Sequence, residues 1–483
     1  MKTSLKAPLL FLIFLVSCSS RNPATAPENS LNLEDCTLTS PGGDQVEARC
    51  GALMVPEDRS NPKGRQIELH IAVIPAIKRK PEPDALFLLA GGPGQSAIEA
   101  FPATISLMFP IHQDRDIVLV DQRGTGKSNP LRCLSPEEES LNDDEVIDKL
   151  KACPKTLDAD LRFYTTEIAM TDLDEVREAL GYETINLYGA SYGTRAALTY
   201  LRLFPGRVRT LTLDAVVDPG FVMFMDAATD GQRALDEFFA RCDEDQACHS
   251  TFPALRDEFQ ALLNRLESSP KEITIPHPVT SKPLTLTVTR EMITNMVFNT
   301  LYASDLVATL PLSIHAAYAN EDYVPLVSQA FLLNADLYDG MFYAVTCTED
   351  APLISTERAA QHSNGTVFGN RTVDFTEICD AWPKGAVSDE FRAPVNSDVP
   401  VLILSGAADP ITPPRHAQEV AESLTNETHL IFPGMGHGNL FSKCSMNIFR
   451  DFLDSASSKG LNTTCVKSIK PPPFFVDFSG PRP

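Results

Sequence analysis

Residues 188–198 read YGASYGTRAAL, and how Ser191 is used there decides the fold. The apolar run Thr184 to Tyr188 leads into it, and a helical pattern from Thr194 to Leu203 leads out. A serine between glycines is often only a turn residue, because its hydroxyl bonds nearby backbone. A strand, a sharp turn and a helix in succession, with Gly189 and Gly193 two residues either side of Ser191, instead describe a nucleophile elbow. The glycines are needed because so tight a turn strains the serine backbone and leaves no room for side chains beside it.

Outward from this stretch, further apolar runs end in Gly, Asp or Ser: Ala85 to Ala90, Ile117 to Val120, Thr210 to Val216, Val399 to Ser405 and His429 to Phe432. With helical segments such as Thr171 to Leu180 between them, they predict an α/β fold, a mostly parallel sheet with helices on both faces. Val46 to Val55 and Gln66 to Pro75 read as an antiparallel pair at its edge. From about residue 217 to 395 helical periodicity replaces the alternation, as in Gln232 to Cys242, Phe252 to Leu266 and Arg290 to Leu301, with a Pro-interrupted piece at Thr274 to Val288. This reads as one inserted, mainly helical cap. The core is then residues 36–216 and 396–483, ending in a Pro-rich tail from Lys470.

A serine hydroxyl needs a base. Among nine histidines, His437 in FPGMGHG follows the last strand in a glycine-rich loop, whereas His416 falls on a helix and His429 within a strand. An imidazolium needs an orienting carboxylate. Asp409 in GAADPIT follows the strand Val399 to Ser405 and gives the chain order Ser, Asp, His of this fold; the rival acids are Asp214 and Asp218. Thr412 reads as the N-cap of the helix around Arg415 to Leu424. The oxyanion needs donors, supplied by the amide of Tyr192 and by one in LAGGPGQS, where Pro93 has none and Gly92 or Gly94 remains. Asp121-Gln122-Arg123-Gly124 reads as a brace for that loop through an internal ion pair. GPGQSA and GTGKS imitate nucleotide-binding loops, but a proline replaces a phosphate-facing amide in one and Asp121 occupies the first glycine position of the other.

The chain opens MKTSLKAPLLFLIFLVSCSS, where Lys2 and Lys6 precede an apolar run shorter than the ~20 residues that cross a bilayer. Residues 1–17 read as an export signal, Leu15-Val16-Ser17-Cys18 as a lipobox with Cys18 lipidated, and residues 18–35 as a tether. Ten of eleven cysteines remain, an even number suited to an oxidising compartment. Pairing sequence neighbours gives Cys36–Cys50, Cys133–Cys153, Cys242–Cys248, Cys347–Cys379 and Cys444–Cys465, although spacing alone does not fix connectivity. No C-x-x-C or H-E-x-x-H pattern points to a metal, and no cofactor is expected. A formal net charge of -23 disfavours nucleic acid and anionic lipid surfaces.

Taken as an ordered set, AGGPGQS, VDQRGTGKS, GASYGTR, GAADPITPP and GMGHG resemble the α/β-hydrolase peptidases typified by proline iminopeptidase and tripeptidyl aminopeptidase. The similarity runs from about Cys50 to Cys465 and includes CGALMVPEDRSNP, typical of the exported tripeptidyl branch. Ala90 stands where the iminopeptidases carry a histidine, which argues against strict prolyl specificity. The resemblance implies cleavage of peptides near a free N-terminus by Ser191, His437 and Asp409. It also implies a cap carboxylate to meet the substrate ammonium, for which Glu349 and Asp350 are the candidates. The lipobox resemblance implies a lipid-anchored envelope protein of the outer membrane. A carboxylesterase or lipase would use the same three residues, and a non-catalytic binding lipoprotein would need none of them.

Overall fold

The computed structural model describes residues 31–135, 143–276, 281–332 and 337–481. The expected signal, Cys18 and most of the expected tether lie outside the described residues. The strands are β1 (Glu34–Thr39), β2 (Gln45–Pro56), β3 (Gln66–Ile74), β4 (Leu86–Leu89), β5 (Ile117–Val120), β6 (Ile185–Ala190), β7 (Val208–Asp214), β8 (Lys271–Pro276), β9 (Pro283–Val288), β10 (Val401–Gly406) and β11 (Glu427–Phe432). Nine of them form one sheet in the order β1-β2-β3-β5-β4-β6-β7-β10-β11. From β5 to β11 every pairing is parallel, and β1, β2 and β3 add an antiparallel margin. The expected β2–β3 pair is there, with β1 outside it as the true edge. Glu34 and Asp35, placed in the tether by sequence, begin β1.

Why the central strands read as unbroken apolar runs is plain from their packing. Phe87, Leu89, Val118, Val120 and Leu187 point into one hydrophobic cluster, while their neighbours Leu86, Leu88, Ile117, Leu119 and Tyr188 point into another. Both faces are covered, so neither set of alternating positions can be polar. The helices that position the site are α1 (Thr166–Leu180), α2 (Tyr192–Leu203), α3 (Ala227–Glu244), α4 (Arg290–Thr300), α5 (Asp339–Glu349), α6 (Thr372–Asp380), α7 (Pro414–Ala421) and α8 (Lys443–Ser455). Helices α1 and α2 pack on the first face, through residues such as Leu173, Val176, Ala196 and Tyr200. Helix α8 covers the second with Met446, Phe449 and Phe452.

The segment between β7 and β10 does not pack as the single helical unit expected. Helices α3 and α4 and the helix Leu255–Ser268 share a separate cluster, whereas α5 and α6 contribute Met341, Val345, Phe375 and Ile378 to the cluster beneath the sheet. The Pro-interrupted piece is the antiparallel hairpin β8–β9. The C-terminal tail closes over the first of these units. Phe474 and Val476 are buried in it, and Phe475 N donates to Ala308 O at 2.8 Å.

All five sequence-neighbour disulfides are formed, with Cα–Cα separations of 5.0 to 5.9 Å. Cys347–Cys379 ties α5 to α6.

Candidate active site

Chain direction creates the crevice. From β4 the chain steps to β5 on one side and then crosses back to β6 on the other, so the loops after β4 and β6 diverge at the C-terminal edge. Leu89 and Gly189 lie opposite each other in register just before those loops. Ser191 follows with φ 55° and ψ -125°, a left-handed conformation that a non-glycine residue adopts only under constraint. The flanking glycines show the constraint. A Cβ on Gly189 would fall 2.2 Å from Gly193 O, and one on Gly193 would fall 2.3 Å from Leu89 O. Ser191 is partly exposed, while Tyr192 to Leu201 behind it are buried.

The loop after β4 comes within reach of that serine. A Cβ on Gly91 would lie 3.3 Å from Ser191 Cβ. Gln95 shapes the loop through both ends, its N–H donating to Gly91 O and its Oε1 accepting from Gly91 N at 3.2 Å. Among the described residues no protein acceptor takes up the amides of Gly92 or Tyr192. The Tyr192 amide also opens a 12-residue helix, where the helix dipole favours negative charge.

Asp121 does brace this loop, but not through an ion pair with Arg123. Its Oδ1 accepts from Ser96 Oγ and from Ile98 N at 3.1 Å, and its Oδ2 accepts from Lys127 N at 3.2 Å. Arg123, fully buried, instead forks onto Asp172 at 2.6 and 2.8 Å and donates to the carbonyls of Glu57 and Phe163. A buried guanidinium has five donors to satisfy, and a single carboxylate within its own turn cannot do so.

On the other side of the crevice His437 Nδ1 meets Asp409 Oδ2 at 2.8 Å. Asp409 is fully buried and also accepts from Ile411 N, Thr412 N and Thr412 Oγ1 at 2.8 to 2.9 Å. Thr412 is therefore a partner of the acid rather than an N-cap; Pro413 occupies that position and α7 begins at Pro414. Burial works to raise the Asp409 carboxyl, but the His437 charge and these bonds outweigh it and hold the group below its ordinary value. For His437 burial works to lower the imidazole, and the Asp409 charge and bond, with Asp214 behind them, hold it above the ordinary 6.5.

The rival acids have other tasks. Asp214 joins the two halves of the site, since its carbonyl accepts from Ser191 N and its carboxylate from Asn439 N and Leu440 N, each at 2.9 Å. Burial pushes it up to about 6 despite these donors. Asp218 binds His416 on α7. Among the described residues no hydrogen bond joins Ser191 Oγ to His437, a contact that tightens in many hydrolases only with substrate present.

Glu349 and Asp350 are not at a substrate-facing surface. Glu349 is 3% exposed and accepts from Thr166 N at 2.7 Å and Thr166 Oγ1 at 2.9 Å, and Thr166 in turn meets Tyr192 Oη. Asp350 is fully buried against Arg195 and Arg392. Both carboxylates are engaged inside the protein, so an incoming ammonium would have to displace guanidinium and hydroxyl donors. Burial pushes Glu349 up to about 7 against the pull of Arg195. Sequence reasoning also missed Arg233 on α3, whose guanidinium donates to the carbonyls of Ala407 and Asp409 and ties the insertion to the acid turn. No local motif marks such a residue, because its partner lies more than 170 positions away.

Residues 84–443 match the model of the alpha/beta hydrolase fold. The chain is 26% identical to the serine protease Hip1 of Mycobacterium tuberculosis, covering 83% of each chain. It is 32% identical to the tripeptidyl aminopeptidase of Streptomyces coelicolor over 41% of this chain and 40% of that one. It is 27% identical to carboxylesterase B of Mycobacterium tuberculosis over 87% of this chain and 86% of that one. With this match over most of its length and the sheet, elbow and crevice described above, the chain belongs to the alpha/beta hydrolase family of enzymes.

Proposed function

We propose that the protein is a serine peptidase acting near the free N-terminus of peptides. Ser191 Oγ attacks the scissile carbonyl as its proton passes to His437 Nε2, and the amides of Tyr192 and Gly92 hold the oxyanion. His437 then gives that proton to the leaving amine, and water releases the acyl group from Ser191 by the same route in reverse. Asp409 fixes the imidazole tautomer through Nδ1 and stabilises its charged form. The observation that carries this reading is the 2.8 Å Asp409–His437 bond across the crevice from a serine in strained backbone. Peptides are favoured as substrates by the relatives named serine protease and tripeptidyl aminopeptidase.

The second reading, an esterase with the same three residues, is favoured by the relative named carboxylesterase B. Assay of a peptide amide beside its N-acetylated twin separates them. The aminopeptidase reading expects the free amine to be cleaved at least tenfold faster, and equal rates would overturn it. We also propose export and lipid anchoring at Cys18, with the outer membrane as destination. Five disulfides support an oxidising compartment. Loss of labelled palmitate incorporation in Cys18→Ser is the expected result, and unchanged incorporation would refute the anchor.

A further inference from the structure

A cavity of about 350 Å³ lies between α4, α5, α6 and residues 367–371, with Phe224, Thr294, Asn295, Tyr343, Arg371 and Phe375 among its walls. Its position relates it to the crevice on two sides. On one, Arg371 sits 4.4 Å over the Phe298 ring, Phe298 meets Tyr302 at 5.8 Å, and Tyr302 meets the His437 ring at 5.0 Å. On the other, Phe224 meets Phe342 at 6.3 Å, and a Cβ on Gly94 of the loop after β4 would lie 3.3 Å from Phe342 N. The Phe298 and Tyr302 rings thus link the cavity wall to the base, and Phe342 links it to the proposed oxyanion loop.

Arg371 is the unusual part of the wall. It is partly buried, its Nη1 is shut off from solvent without an acceptor, and its side chain makes no hydrogen bond or ion pair among the described residues. The fully buried arginines are treated differently: Arg123 forks onto Asp172, Arg195 onto Asp350, Arg177 onto Asp174, and Arg115 onto Asp84 and Asp454, whereas Arg241, 3.9 Å over the Phe474 ring with its Nη2 also lacking an acceptor, repeats the pattern of Arg371 elsewhere in the insertion. In the cavity wall Arg290 is paired with Glu267, and of the exposed lining acids Glu291 and Asp374 the first reaches Arg371 through its charge. A half-buried guanidinium stacked on an aromatic ring, with no hydrogen-bonded carboxylate among the described residues, is suited to bind an incoming carboxylate through paired N–H donors.

We propose that this cavity is a substrate subsite and that Arg371 selects substrates carrying a carboxylate, such as a short peptide with a free C-terminus. The proposal rests on the hydrolase reading of Ser191, and its test includes a binding arm that needs no turnover. In Ser191→Ala protein, a short free-N-terminus peptide acid should bind at least tenfold more tightly than its C-terminal amide. Adding Arg371→Met should bring the two affinities together, chiefly by weakening the acid. Asn295→Asp, nearly isosteric and placing a carboxylate in the cavity wall, should also shrink the preference; it guards against misfolding of the arginine variant.

In the active enzyme the same acid-to-amide ratio should appear in kcat/KM and fall to near one in Arg371→Met. Equal binding of acid and amide in the Ser191→Ala protein, or a preference that survives both substitutions, would overturn the subsite. Failure of the hydrolase reading looks different: neither peptide is cleaved and Ser191 resists acylating reagents, whatever the binding arm shows.

Discussion

Among the described residues His416 and His437 each bond an aspartate that is shut off from solvent, and the proposed function uses only the second pair. His416 on α7 bonds Asp218 through Nδ1, is 2% exposed and packs its ring against Phe221 at 5.4 Å. His437 bonds Asp409 through the same nitrogen, but its side chain is 15% exposed and its loop is held by Asp214, whose carbonyl also accepts from Ser191 N. Burial opposes the charge on both rings. At His416 the bond to Asp218 and the Asp230 carboxylate 3.7 Å from Nε2 overcome it by enough to push the imidazole up to about 9, which favours the cation at neutral pH. The His437 ring is likewise held above its ordinary value, but its partial exposure leaves it open to a substrate. A His–Asp bond is thus no signature of catalysis; the difference lies in access.

Substitution of the two acids should separate the pairs most widely. Asp409→Asn should lower kcat on the order of 10⁴-fold while the protein stays folded, because the tautomer of His437 is then wrong, as it is when the triad aspartate of a serine protease is replaced by asparagine. A kcat within tenfold of wild type would mean that Asp409 is not the orienting acid. His416→Gln should do the reverse. Removing one member of a buried pair typically costs about 3–5 kcal/mol of stability, read by denaturant unfolding, whereas kcat of the folded fraction should change less than about threefold. A large fall in kcat with stability intact would make His416 part of the site.

A smaller effect is expected from Thr412, which supports only the catalytic pair. Thr412→Val removes the hydroxyl that donates to Asp409 at 2.8 Å, and a charge-assisted bond of roughly 1.5–3 kcal/mol corresponds to at least a tenfold fall in kcat. An unchanged kcat would show that the two main-chain donors suffice.

The two histidines should also differ in their response to pH. His437 acts as a base only when unprotonated, and its ring is held above 6.5, so kcat/KM should rise with pH through a midpoint above that value. His416 has a folded value near 9 against an ordinary 6.5. The stability it contributes is fully present below 6.5 and is lost as pH rises through about 9. The melting temperature should therefore decline over that window in wild type and decline less in His416→Gln. Identical curves would remove the distinction drawn between the pairs.

What could be read from sequence follows from how local each signal is. The parallel strands are short apolar runs with turn residues at their ends, and the elbow carries its glycines within five residues, so both are legible. The disulfides follow the same rule, since each joins neighbours in the order of cysteines. Thr412 looks like a helix cap because its partner is created by the fold of the Asp409 turn. Arg123 looks tied to Asp121 by proximity in sequence, yet Asp172 reaches it from α1. Glu349 and Asp350 look free to meet a substrate ammonium because Thr166, Arg195 and Arg392, which engage them, are far away along the chain. The tail from Lys470 shows no motif, and its anchorage depends on a pocket made by the insertion.

Whether Ser191 is the activated nucleophile is decided by treating the protein with a fluorophosphonate and locating the adduct by mass spectrometry. One adduct per chain is expected on Ser191, formed rapidly in wild type, slowly in Asp409→Asn, and absent in Ser191→Ala. No adduct in folded wild-type protein, or equal labelling of Ser191→Ala, would contradict that role.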